Sequence, residues 1–210
     1  MSDPNPTTVP PPLPESPSPQ PISPTPPIEE AYLIFCGGID LDASRRIANA
    51  LAISSNPTVG VKRVHLLLQT FGGSVSDGIF LYNLLRTYPV DLTIYNVGTV
   101  QSIGVLIFLG AKKRKTSASA TFLVHRTTTG AQYAKASTLK ALAKSTDLDD
   151  QRTEKILKAH VKWPKETWSE LDQNDITFSG EEAVKYGIAD EVGEFAPPKG
   201  TQVFFIGATN

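Results

Sequence analysis

The sequence predicts an α/β protein with a mainly parallel sheet, on two observations. Segments of strand length alternate with segments of helical spacing from residue 31 to residue 192. That alternation favours parallel pairing, because each helix carries the chain back to the edge where the next strand starts. Two of the strand-to-helix junctions, Gly72-Gly73-Ser74 and residues 98–104, are also rich in glycine. In such folds ligand and catalytic sites form at these junctions, at the carboxyl ends of the strands.

The elements follow in order. Residues 31–36 (AYLIFC) read as a buried strand. Residues 42–54 place Ile47, Ala48, Leu51 and Ala52 at helical spacing, with Asp40 or Asp42 able to cap them. Residues 64–68 form a second strand. Ser74 then opens a helix with Val75, Ile79, Tyr82 and Leu85 on its apolar face, which Pro89 ends. Residues 90–95 form a third strand that leads into a short apolar helix starting near Ser102. Residues 118–125 read as a bent strand or strand pair, and residues 134–161 as one long helix. Pro164 suits the first turn of a further helix, and Ser179 with Glu182 forms a capping box. Gly187 stops the last helix, residues 188–192 form a terminal strand, and residues 201–206 (TQVFFI) offer an edge strand.

Composition divides the chain. Residues 1–28 hold 12 of the 17 prolines and no aromatic residue, a composition expected to stay disordered or polyproline-like. Residues 29–195 read as the folded domain and 196–210 as an extension. A net charge of -1 gives no reason to expect nucleic acid, and the run Lys112-Lys113-Arg114-Lys115 reads as a solvated turn. Cys36, the single cysteine, reads as a buried structural thiol. No apolar run is long enough to cross a bilayer, so the expectation is a soluble, cytoplasmic protein without cofactor or metal.

The chemistry concentrates at the second junction. Ser102 stands between Gly98 and Gly104, where a hydroxyl can project from the turn and the amide of Ile103 can donate to an oxyanion. Gly72-Gly73 lets a backbone amide approach a ligand closely. His125 ends an apolar strand, and Asp175 precedes what reads as a helix entry at Thr177-Phe178-Ser179. Taken singly, each has an ordinary structural reading: a cap, a tight turn, a strand-end imidazole and a solvated carboxylate.

Together they carry a resemblance. LQTFGGSVSDGIFLYNLLR (68–86), NVGTVQSIGVLIFLGAKKRK (96–115), TFLVHR (121–126) and DQNDITFSGEEAVKYGIADEV (172–192) resemble, in order, four blocks of the Clp protease proteolytic subunit family. The separations, 23 residues from Ser102 to His125 and 50 from His125 to Asp175, are similar to the family's. The resemblance implies a sandwich of mainly parallel strands related to the crotonases, with a long handle helix. It further implies a serine endopeptidase acting on peptides or unfolded proteins inside a homo-oligomeric chamber. Ser102 would be the nucleophile, His125 the general base, Asp175 its orienting partner, and the amides of Gly73 and Ile103 the oxyanion hole. Phe71, Gln101 and Arg126-Thr127 depart from the family's usual residues beside the substrate groove. The family's axial-loop segment is replaced by the proline-rich stretch, which leaves the use of a Clp-type ATPase open. A crotonase-like acyl-CoA enzyme, a silent subunit of a mixed ring and a capsid-maturation protease of the same fold are the alternatives.

Overall fold

A computed structural model describes residues 29–207; the tail expected over residues 1–28 lies outside the described residues. In chain order the elements are β1 (Glu30–Cys36), α1 (Leu41–Ser54), β2 (Arg63–Gln69), α2 (Val75–Thr87), β3 (Asp91–Asn96), β4 (Thr99–Gln101) and α3 (Ile103–Leu109). There follow β5 (Lys113–Thr116), β6 (Thr121–Val124), α4 (Ala136–His160), α5 (Lys165–Leu171), β7 (Ile176–Ser179), α6 (Gly180–Lys185), β8 (Glu191–Val192) and β9 (Val203–Phe205).

The main sheet has the order β8-β5-β3-β2-β1-β9, and its pairs are parallel, as the alternation of elements predicts. Along β2, Val64, Leu66 and Leu68 are buried. They pack with Leu81 and Leu85 of α2 and Ile107 of α3 in one continuous core. Asp40 caps α1 by accepting from the Ala43 amide at 2.7 Å, and Ser74 caps α2 through the Asp77 amide. The capping box of Ser179 and Glu182 starts α6. β9, supplied by the C-terminal extension, pairs with β1 and covers its edge.

A second, smaller sheet has the order β4-β6-β7, with β6 and β7 antiparallel. An isolated bridge between Thr70 and Val100 joins it to the end of β2. This junction sets the two glycine-rich turns side by side.

Four expectations are corrected. The basic run is not a solvated turn: Lys113, Arg114 and Lys115 belong to β5. They are tolerated there because Asp91, Asp190 and Glu191 on the neighbouring chain segments pair with them in turn. Residues 177–179 belong to β7, because Phe178 alternates with exposed neighbours and packs against Trp163 at a ring separation of 5.1 Å. The strand expected over residues 188–192 shortens to its last two residues, since Ile188 and Ala189 still bond to Ala183 as the last helix unwinds. Cys36 is exposed, not buried, because it ends β1 on the side opposite the buried Phe35.

Two half-buried histidines give the fold a pH dependence. His65 contacts the Tyr95 hydroxyl at 2.9 Å and His160 the Tyr82 hydroxyl at 2.9 Å. Desolvation pushes both below the ordinary value of 6.5. The unfolded chain therefore takes up protons that the folded chain resists. This stability is fully present above the unfolded value and is lost as the pH falls through it toward the folded values. The urea midpoint should drop between about pH 7.5 and pH 5.5, and the drop should be smaller in His160→Phe.

Candidate active site

Ser102 occupies the N-cap of α3 with φ 55 and ψ -130, a left-handed conformation that costs a non-glycine residue about 1–3 kcal/mol. The surrounding chain over-determines it. The Ser102 amide donates to the Leu123 carbonyl of β6 at 2.7 Å, and the Gln101 amide to the Thr70 carbonyl beyond β2 at 2.9 Å. An N-cap serine ordinarily turns its hydroxyl back to a helix amide. Ser102 makes no such bond, so its Oγ is left for other work.

The glycine pair faces it. Gly72 has φ +94, and a Cβ there would stand 2.6 Å from the Ser102 Cβ, which is closer than two carbons can approach. Gly73 has φ +149, and its Cβ would meet the Ile39 carbonyl oxygen at 2.1 Å. The Gly72 carbonyl accepts from the Ile39 amide and the Ile39 carbonyl from the Ser74 amide, which holds the loop rigid. The Gly73 amide donates to no backbone carbonyl among the described residues. Ile103 is the first residue of α3, where an amide has no intrahelical acceptor.

His125 leaves β6 on the far side of the same cavity. Its Nδ1 lies 2.6 Å from the Arg126 carbonyl oxygen. A carbonyl can only accept, so Nδ1 carries the hydrogen, and the neutral ring presents its lone pair at Nε2. No hydrogen bond joins His125 to Ser102 or to Asp175 among the described residues. Asp175 is exposed, and the sheet register sets its place. The ladder of β6 and β7 reaches only the pair Val124 and Ile176, so His125 and Asp175 each lie one residue beyond its end.

The structure thus brings Ser102, Ile103, Gly73 and His125 around one cavity of about 70 Å³ and leaves Asp175 outside its lining. Val75, Leu106, Val124 and Leu157 complete the apolar part of its wall, with Thr153 beside them. Sequence reasoning missed the α4 contribution. The signal was the spacing of Asp150, Thr153, Glu154 and Leu157, which follows i, i+3, i+4 and i+7 along one helix face. α4 is fixed there by charge. The Arg126 guanidinium donates to Glu154 at 2.6 Å and also pairs with Asp172, and the Thr127 amide donates to Asp150 at 2.7 Å. Hydrogen bonds from Lys158 and then Arg126 hold the Glu154 carboxyl below the usual carboxylate range. No group of side chains suited to holding a metal ion is present among the described residues.

A strained serine at a parallel-sheet junction, two bare amides and a histidine are the arrangement expected of acyl-transfer enzymes. The chain belongs to the Clp protease family, whose model matches residues 28–195. It is similar to the ATP-dependent Clp protease proteolytic subunit 1 of Gloeobacter violaceus, with 30% identity over 170 residues, 79% of this chain and 84% of that one. The protein of the same name from Streptomyces avermitilis is 27% identical over 157 residues, 74% of this chain and 71% of the other.

Gly72→Ala should destabilise the fold by about 1–3 kcal/mol, read as a lower urea midpoint, because the added methyl must displace the Ser102 turn.

Proposed function

We propose that the protein is a serine peptidase that cleaves short or unfolded peptide segments, acting as one subunit of a homo-oligomer. The observation that carries the reading is the Ser102 hydroxyl, held in a left-handed turn without a capping bond, in the same cavity as His125. Membership of the Clp protease family supports it, and so do the relatives' names, which describe proteolytic subunits.

The chemistry follows from the groups present. The Ser102 oxygen attacks the peptide carbonyl carbon while His125 Nε2 takes its proton. The amides of Gly73 and Ile103 receive the oxyanion, and the positive end of α3 adds to its stabilisation. The tetrahedral species collapses as the C–N bond breaks, and the imidazolium gives its proton to the departing amine. Water then attacks the acyl-enzyme with His125 again as base, releasing the acid and restoring Ser102.

The hydrogen on Nδ1 already selects the tautomer this step needs. Asp175 enters when the ring rotates, exchanging the Arg126 carbonyl for the carboxylate across the strand pair. The carboxylate then stabilises the imidazolium, which a carbonyl dipole does less well.

Ser102→Ala should lower peptide hydrolysis by ~10³-fold or more and abolish labelling by a fluorophosphonate, with the native mass of the assembly unchanged. Asp175→Asn should retain labelling but slow turnover by ~10²-fold or more. Full activity in either variant, measured with a set of fluorogenic peptides, would exclude the role given to that residue.

A further inference from the structure

Beside the cavity at Ser102 lies a second, larger compartment of about 280 Å³. The two share Gly73, Val75, Thr127 and Thr128 as walls, so a chain seated at Ser102 continues into it. Their linings differ in kind. The first sets Val75, Leu106, Val124 and Leu157 opposite Ser102, His125 and Thr153, and this apolar side suits an aliphatic side chain. The second is lined by hydroxyls, among them Ser76, Thr129, Ser145 and Thr146, with Asp149 as its one charged residue.

We propose that this compartment is a specificity subsite that takes a basic side chain of the substrate, close to the aliphatic residue at the scissile bond. The inference rests on the peptidase reading. Asp149 is half-buried, with a side-chain exposure of 20%. Its Oδ1 is taken by the Arg152 guanidinium at 2.9 Å, and its Oδ2 has no partner among the described residues. Arg152 itself does not line the compartment, and neither does any lysine, histidine or other arginine. Asp150 stands next to it on α4, with its Oδ1 receiving the Thr127 amide. An acidic side chain entering here would meet the Asp149 carboxylate and no cation in the lining, whereas an ammonium or guanidinium would meet Oδ2, on the side of the carboxylate that Arg152 leaves open, and a ring of hydroxyl acceptors. Val75 and Leu142, also in the lining, offer apolar surface to the long aliphatic stem of a lysine or arginine.

The test uses the full chain with Ser102→Ala, which separates binding from turnover. Fluorescent hexapeptides carry one leucine, and lysine or norleucine is scanned through the other positions. At one position the lysine peptide should bind about 5–10-fold more tightly. The advantage should shrink at about 0.5 M salt and fall within about twofold in a second variant that adds Asp149→Asn. Equal binding of lysine and norleucine peptides at every position, a lysine preference indifferent to Asp149→Asn, or no binding up to about 1 mM would each overturn the subsite. Fluorophosphonate labelling of the unsubstituted chain tests the peptidase reading separately. Labelling without a basic preference sinks the subsite alone, and a basic preference without labelling sinks the peptidase reading alone.

Discussion

A serine backbone pressed against a glycine that has no room for a side chain is the constraint from which the rest of the cleft follows. The left-handed turn at Ser102 is unfavourable in isolation, and three separate elements hold it. The residue after β2 supplies the Thr70 carbonyl, β6 supplies the Leu123 carbonyl, and the Gly72 backbone closes the remaining side. None of these groups lies close to Ser102 in sequence except through Gln101. The strain is therefore carried by the junction between the two sheets. A change in how β4 docks on β2 would be felt first at the serine.

The opposite wall of the cleft is held by different forces. α4 has 25 residues and buries only Leu157 among them. Its attachment near His125 is ionic and hydrogen-bonded, through Arg126, Glu154 and Asp150. Leu139 in the first turn and Leu148 at the middle of the helix are 49% and 54% exposed, and Tyr133 just before it is 98% exposed. The cleft thus has one wall of close-packed backbone and one, from Thr153 and Leu157 of α4, that charged pairs hold in place. The first fixes where a carbonyl sits, and the second determines what may lie beside it.

Much of this was legible in the residues. Alternating strand and helix patterns gave the parallel sheet, and the two glycine-rich junctions marked the place where β2 and β4 come together. What could not be read came from pairing between distant segments. The basic residues of β5 looked solvated because their partners, Asp91, Asp190 and Glu191, lie up to 76 residues away along the chain or on another strand. The strand β7 was hidden because Thr177-Phe178-Ser179 runs directly into a capping box, and the local helix signal masked the pairing with β6. At the site, Ser102 and His125 were singled out together only by the resemblance to the Clp protease family, since each alone has an ordinary structural reading. The bond from His125 to the Arg126 carbonyl is a matter of ring rotation, for which no residue pattern exists.

The β6–β7 register also has a bearing on how such a chain can vary. His125 and Asp175 are 50 residues apart along the polymer, yet each lies one residue beyond the last pair of an antiparallel ladder. The ladder works as a ruler, and the excursion through α4 and α5 hangs from it like a loop of slack. Residues could be added to or trimmed from that excursion without altering the register of β6 on β7. One residue inserted within β7 would swing the carboxylate to the reverse side of the sheet.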